Sequence, residues 1–330
     1  MKKNKPKNQK KKQPDEASGE IKTEELDFDR LLDEFIKPEL FVPQPDNIAD
    51  PLDSLTGLHN VKNRFRTFEK VTYFNRWRAL KGLPTLDLPL HAVFMGSPGT
   101  GKTTVAKALG RMLRRAGVLS RGHLVVMERS TLLGQNYNAE AEKTLEAIEK
   151  AQGGILLIDE AYQLYQPCDP RDPGKFVIET LLTAMSDEGR RDWMLILAGY
   201  TDRMKHMMYM NPGLRSRIPE ANIYEFEDFS EAQLMEIAER YFESNGYVLR
   251  DDAHTALAQL LHSDYAARGE DFGNARHVIN IIQTQIIPAM ATRLADVTEP
   301  GIDDLSEIHA ADIPQPTLHK NIRRRAGFTI

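Results

Sequence analysis

The sequence predicts an α/β fold: a parallel sheet with helices on both faces, followed by a small all-α domain. Three observations carry this reading. Short β-rich runs alternate with helical stretches between residues 91 and 226, the pattern of repeated βαβ units. Two of those runs, ILLI (155–158) and MLILA (194–198), are apolar throughout, as strands covered on both faces are. From residue 230 onward helical periodicity continues without a strand candidate of comparable strength.

Taken in chain order, residues 1–22 read as a disordered lysine-rich tail. MKKNKPKNQKKKQ carries seven lysines and no acid, and an acidic stretch runs from Asp15 to Glu34. Such a charge run is a solvated tail or, in the sharper reading, a basic arm for an acidic partner such as nucleic acid. Residues 23–50 read as a short helix and a Pro-rich linker. Thr23 can cap a helix with Phe28, Leu31, Leu32, Phe35 and Ile36 on one face. Pro38, Pro43, Pro45 and Pro51 then extend the chain. A long amphipathic helix follows and ends near Gly82. Strands are expected at 91–95, 123–127, 154–159, 193–199 and 222–226, with helices at 102–116, 139–151, 174–188 and about 202–210. These make one α/β domain over 51–228. A helical domain over 229–300 opens with Ser230, which caps EAQLMEIAERYFESNG before Gly246 stops it. DDAHTALAQLLHSDYAARG is its second helix. NARHVINIIQTQIIPAMATRLAD is its third, with Pro288 as a kink. Residues 301–330 form a C-terminal extension that ends in a weakly structured tail.

Composition narrows the function classes. Charged residues make up 28% and hydrophobic residues 41% of the 330-residue chain, an ordinary globular balance. A net charge of −5 offers no global attraction to nucleic acid. Cys168 is the single cysteine, so no intrachain disulfide can form and a reducing compartment is expected. No apolar run reaches the ~18 residues of a membrane span. No apolar core follows the N-terminal lysines, so a secretory signal is not expected. A cytoplasmic protein without a membrane partner is the expectation.

The chemistry concentrates in a few motifs. Gly96-Ser97-Pro98-Gly99-Thr100-Gly101-Lys102-Thr103 fits G-x-x-x-x-G-K-[ST], between a β-rich run and a helix, and Thr104 follows. Glycines let successive backbone N–H groups face one anion. The helix that follows adds partial positive charge at its N-terminus. Lys102 is expected to reach the β- and γ-phosphates of ATP, and the Thr103 hydroxyl to ligate Mg²⁺. Asp159 and Glu160 end a buried apolar run, where charge is costly unless a cation or catalysis requires it. Asp159 is expected to hold Mg²⁺ through water, and Glu160 to orient or deprotonate the attacking water. Arg215 and Arg217, in NPGLRSRI, lie just before the last strand of the sheet. Either is placed to reach a neighbouring subunit's γ-phosphate, and the sequence does not choose between them. Arg276 sits in the first turn of the third helix of the second domain, placed to reach phosphates of its own subunit. Tyr137, in GQNYN, is either a substrate-gripping aromatic on a loop or a half-buried turn residue.

The motif order GSPGTGKT, ILLIDEAYQL, LAGYTDRM, NPGLRSRI, FGNARHVIN resembles an AAA+ ATPase. Within that superfamily it is similar to the CbbX/CfxQ group, which includes red-type Rubisco activase and stage V sporulation protein K. The resemblance spans about residues 50–295. It implies the P-loop NTPase sheet order 5-1-4-3-2, a helical lid and a homo-oligomeric ring, a hexamer. It implies that Gly57 and Leu58, in LDSLTGLHNVK, lie beside the adenine, and that Ser97 to Thr104 cradle the phosphates. It makes Arg215 or Arg217 an arginine finger and Arg276 a second sensor, and it puts the first sensor just after LILAG, in the run Tyr200-Thr201-Asp202, with Thr201 the candidate but the choice among the three open. Activase-like members carry an aromatic directly after Gly-Glu in the pore loop; here Asn136 takes that place and Tyr137 comes next. The implied activity is ATP-driven remodelling of a protein partner. Two alternatives from other classes are a nucleic-acid-associated ATPase and a nucleotide-gated assembly switch.

Overall fold

The computed structural model describes residues 52–316, apart from 54, 87, 135–138, 167–168, 170–171, 188–191 and 270–271. The lysine-rich tail, the helix and linker expected over 23–50, Asn136, Tyr137, Cys168 and residues 317–330 lie outside the described residues.

Five strands form one parallel sheet: β1 (Ala92–Gly96), β2 (Leu124–Met127), β3 (Ile155–Ile158), β4 (Met194–Gly199) and β5 (Ile223–Phe226). Their order is β2-β3-β4-β1-β5, the order implied by the family resemblance read from the other edge. Val93 lies beside Leu197 and Ile223, which puts β1 between β4 and β5. Side chains alternate across a strand, and that alternation fills two cores. Val93, Met95, Leu156, Ile158, Leu195 and Leu197 enter one apolar cluster. Ala92, Phe94, Ile155, Leu157, Met194 and Ile196 enter the other. With both faces covered, no position in β3 or β4 tolerates a polar residue, and the uninterrupted apolar runs follow.

The first core is closed by α4 (Ala139–Lys150), α5 (Gly174–Met185), α6 (Thr201–Met210) and α7 (Pro212–Arg217). The second is closed by α1 (His59–Leu80) through Val61 and Phe65, and by α2 (Lys102–Arg115) through Val105, Leu109 and Met112. The short α3 (Arg129–Leu132) follows β2. Arg64 of α1 covers the β5 edge. Its guanidinium donates to the carbonyls of Ile223 at 2.7 Å and of Ala221, and lies 4.3 Å from the Tyr224 ring centroid.

The second domain has its own core. α8 (Glu231–Ser244) starts at Ser230, whose hydroxyl accepts the Gln233 N–H at 3.3 Å while Gln233 Oε1 accepts the Ser230 N–H at 2.9 Å. This is a reciprocal cap. After β6 (Val248–Leu249) come α9 (Asp251–Ala266), α10 (Asn274–Ile281) and α11 (Ile287–Arg293). The third helix expected from the sequence is interrupted earlier than Pro288, by a π-helical turn over Ile282–Ile286. Proline has no N–H and its ring crowds the carbonyl four residues back. The wider turn, which contains Thr284, relieves that crowding.

The expectation of a strand-free second domain is corrected. β6 pairs in parallel with β7 (Glu307–Ile308), reached after α12 (Ile302–Ser306). Two residues per strand are too few to show a period of two, and the partners are far apart in sequence. Ile308 and Ile313 are buried in the same cluster as Leu234, Phe242, Leu257 and Ile282. Arg293 holds this segment by donating to Asp312 at 2.9 and 3.0 Å. No helix of the described residues is long and apolar enough to cross a membrane.

Candidate nucleotide-binding site

The loop between β1 and α2 is shaped by glycine. Gly99 has φ +71° and Gly101 φ +91°, values L side chains rarely adopt. Space is also absent at Gly99, where a Cβ would lie 1.9 Å from the carbonyl oxygen of Gly273 in the second domain. Thr100 is fully buried and braces the loop by donating its hydroxyl to the Ser97 carbonyl at 2.8 Å. The Lys102 ammonium donates to the carbonyls of Gly96 and Ser97, each at 2.8 Å. Burial pushes its pKa below the usual lysine value, and the nearby Asp159 carboxylate opposes that shift. A desolvated ammonium at a helix start is suited to an anionic ligand.

A cavity of ≈ 340 Å³ opens above this loop, lined by Gly99, Lys102, Thr103, Asp159, Glu160 and Arg276 among others. Asp159 follows the last residue of β3, and its N–H donates to the Met127 carbonyl of β2 at 2.9 Å. Its own carboxylate accepts the Glu160 N–H at 2.9 Å. Glu160 takes a left-handed backbone, φ +47°, a conformation that costs a non-glycine residue energy and concentrates at functional sites. Its carboxylate accepts a hydrogen bond from the Gln163 amide. The Gln163 carbonyl in turn accepts Arg129 Nη1 at 2.6 Å, and Arg129 forms an ion pair with the buried Asp172.

Pro98 and Thr104 also line the cavity; Ser97 and Thr100 shape the loop from within. An adjoining, more apolar pocket of ≈ 220 Å³ shares Gly101, Thr104 and Ala275 with it and is lined by Leu55, Leu58, Val105 and Phe229. Leu58 has φ +56° and Gly57 φ +63°. Gly57 packs against Gln233 of α8, so close that a Cβ would lie 2.6 Å from the Gln233 amide nitrogen.

The remaining residues singled out in the sequence fall elsewhere. At the end of β4 the cavity wall is made by Gly199 and Tyr200 rather than Thr201, the first residue of α6. Arg203 of α6 lies 5.0 Å from the ring centroid of Tyr162 and 5.5 Å from that of Tyr200. Arg215 and Arg217 do not line the cavity of their own chain. Arg215 is exposed, 5.6 Å from the Tyr209 ring centroid, in a separate open cleft. Arg217 is half-buried and donates to Ser186 Oγ at 2.7 Å and the Gly213 carbonyl at 3.2 Å.

Sequence reasoning missed Gln163 and Asn274. Only Asn274 left a local signal: an Asn directly after glycine and two residues before Arg276. Asn274 is fully buried at φ +49° and bonds to both domains.

The chain matches two family models: residues 92–222 match "ATPase family associated with various cellular activities (AAA)", and residues 230–322 match "AAA lid domain". It is 38% identical to stage V sporulation protein K of Bacillus subtilis, over 81% of each chain. It is 41% identical to CbbX of Cereibacter sphaeroides, over 71% of this chain and 75% of that protein. It is 37% identical to the chloroplastic ribulose bisphosphate carboxylase/oxygenase activase of Cyanidioschyzon merolae, over 75% of this chain and 83% of that protein. At 37–41% identity to these relatives over 71–81% of its length, this chain belongs to the AAA+ ATPases, in the group of CbbX, CfxQ and stage V sporulation protein K.

Proposed function

We propose that this ATPase assembles into a ring, a hexamer, and uses hydrolysis to remodel a protein partner. One observation carries the reading. Lys102, Thr103, Asp159, Glu160 and the lid residue Arg276 all wall one cavity, whereas Arg215 and Arg217 stand outside it. A site that is complete only when a neighbour adds an arginine is a site that senses assembly. The name of one relative supports a protein as substrate, being an activase of ribulose bisphosphate carboxylase/oxygenase.

In this reading Lys102 exchanges its two carbonyl partners for β- and γ-phosphate oxygens. The base lies in the pocket walled by Leu58 and Val105, with Gly57 shaping its rim. Thr103 and Asp159 offer one hydroxyl and one carboxylate, a donor set that suits Mg²⁺, which keeps several waters and takes the rest of its shell from phosphate. When bound, Mg²⁺ neutralises charge building on the transferred group. Glu160 leaves Gln163 and accepts a proton from the attacking water. Arg276 contacts phosphate from the lid, so nucleotide state reaches the second domain. Tyr200 or Thr201 holds the water from the end of β4.

The test uses Glu160→Gln. It is expected to bind ATP as tightly as the wild type and to hydrolyse it on the order of 10²-fold more slowly. With saturating Mg-ATP its solution mass should shift to that of a ring; Lys102→Ala should neither bind ATP nor shift. A mass unchanged by ATP would remove the ring from the proposal. Salt-dependent binding of DNA or RNA would replace the protein substrate with a nucleic acid.

A further inference from the structure

Asn274 joins three parts of the molecule that are distant in sequence. Its Oδ1 accepts the Phe229 N–H at 3.0 Å, at the exit from the sheet domain. Its Nδ2 has three acceptors within reach: Asp228 Oδ1 at 2.9 Å, the Phe272 carbonyl at 3.2 Å and the Pro98 carbonyl of the phosphate loop at 3.3 Å. An amide nitrogen carries two protons, so three acceptors share two donors. The Pro98 bond is the longest of the three, and it is the one that a shift of the phosphate loop makes or breaks. Nearby backbone reinforces the junction: the Ala275 N–H donates to the Gly99 carbonyl at 3.2 Å.

Two residues along, Arg276 is exposed and lines the cavity. Among the described residues no hydrogen bond or ion pair holds its guanidinium. The position of Arg276 is therefore set by its main chain, and the main chain is anchored by Asn274. We infer that Asn274 is a positioning residue for Arg276, transmitting movement of the phosphate loop to the lid through its exchangeable bond to Pro98. The inference rests on the reading that Arg276 meets nucleotide phosphate.

The residue type fits. At φ +49° only asparagine, aspartate and glycine sit with little strain. Asn274→Gly keeps that backbone while removing the amide. The experiment is a double-mutant cycle in the full-length chain, read as ATP turnover at saturating Mg-ATP. Asn274→Gly is expected to lower kcat about tenfold. Arg276→Ala is expected to lower it at least as far, and adding Asn274→Gly to Arg276→Ala should change it less than about twofold. A merely structural role predicts instead that the two losses multiply, and multiplication overturns the proposal, as does wild-type turnover by Asn274→Gly. Wild-type turnover by Arg276→Ala is a different failure, since it removes the phosphate role of Arg276 itself.

Should Asn274→Gly not fold, the swap Asp228→Asn with Asn274→Asp keeps the 228–274 bond with its direction reversed and keeps the acceptor for Phe229. It leaves no donor for the Pro98 or the Phe272 carbonyl. The swap is expected to melt somewhat below the wild-type temperature, since two carbonyls lose their donor, and to turn over about tenfold more slowly while still folded. A swap with wild-type turnover overturns the proposal.

Discussion

His91 shows how much a single half-buried side chain decides. It precedes β1, its Nδ1 accepts the Leu195 N–H at 3.0 Å, and its ring lies 5.1 Å from that of Trp193. Burial pushes its pKa from 6.5 down to about 4, because a charged imidazole there would lose its water. The fold therefore holds the neutral ring, while the unfolded chain takes up a proton once pH falls below about 6.5. Stability from this group is full above that pH, declines as pH falls towards 4, and is then constant. The loss approaches about 3 kcal/mol. Asn supplies an acceptor near the Nδ1 position and does not titrate. His91→Asn should be nearly as stable as the wild type at pH 7.5 and lose about 3 kcal/mol less between pH 6.5 and 4, measured by urea unfolding across that range. Parallel pH profiles for the two proteins would sink this account. At this scale the sequence was readable where chemistry is local. Lys102, Thr103, Asp159 and Glu160 each follow from a short motif, and all four line the cavity. Gln163 was not readable, and Asn274 left only its place after a glycine, because their meaning lies in partners that only folding brings close.

At the scale of elements, apolar content located the sheet and long-range pairing did not. β3 and β4 are uniformly buried, so their sequence runs are unmistakable. β6 and β7 have two residues each and one exposed valine, Val248, which leaves no pattern to read. The π turn before Pro288 was half-readable: proline foretold a disturbance, but the side on which the helix absorbs it depends on packing. The β5 edge offers a test. An open strand edge pairs with other chains unless something covers it, and Arg64 covers this one with two carbonyl contacts and the face of Tyr224. Arg64→Ala should lose about 2 kcal/mol of unfolding free energy, seen as a lower urea midpoint with an unchanged slope. It should also self-associate more readily without nucleotide, seen by light scattering. An unchanged midpoint would mean that the arginine is only a surface contact.

At the scale of the whole molecule, α7 places both arginines away from the cavity of their own chain, and this has a consequence for mixed assemblies. Arg215 projects beside Tyr209, whereas Arg217 is tied back to Ser186 and Gly213. If either completes a neighbour's site, the two halves of that site can be broken in different subunits. Lys102→Ala destroys a phosphate site and keeps the arginines. Arg215→Ala or Arg217→Ala keeps the phosphate site and removes one arginine. Each variant alone should turn over ATP on the order of 10²-fold more slowly than the wild type. In an equal, randomly assembled mixture, roughly a quarter of head-to-tail interfaces pair an intact phosphate site with an intact arginine. Turnover should then recover to a visible fraction of wild type for whichever arginine reaches across. The other arginine, if it only braces α7, gives a variant that mixing with Lys102→Ala does not rescue. A mixture no more active than the sum of its two components, for both arginines, would remove the main support for an arginine supplied by a neighbour.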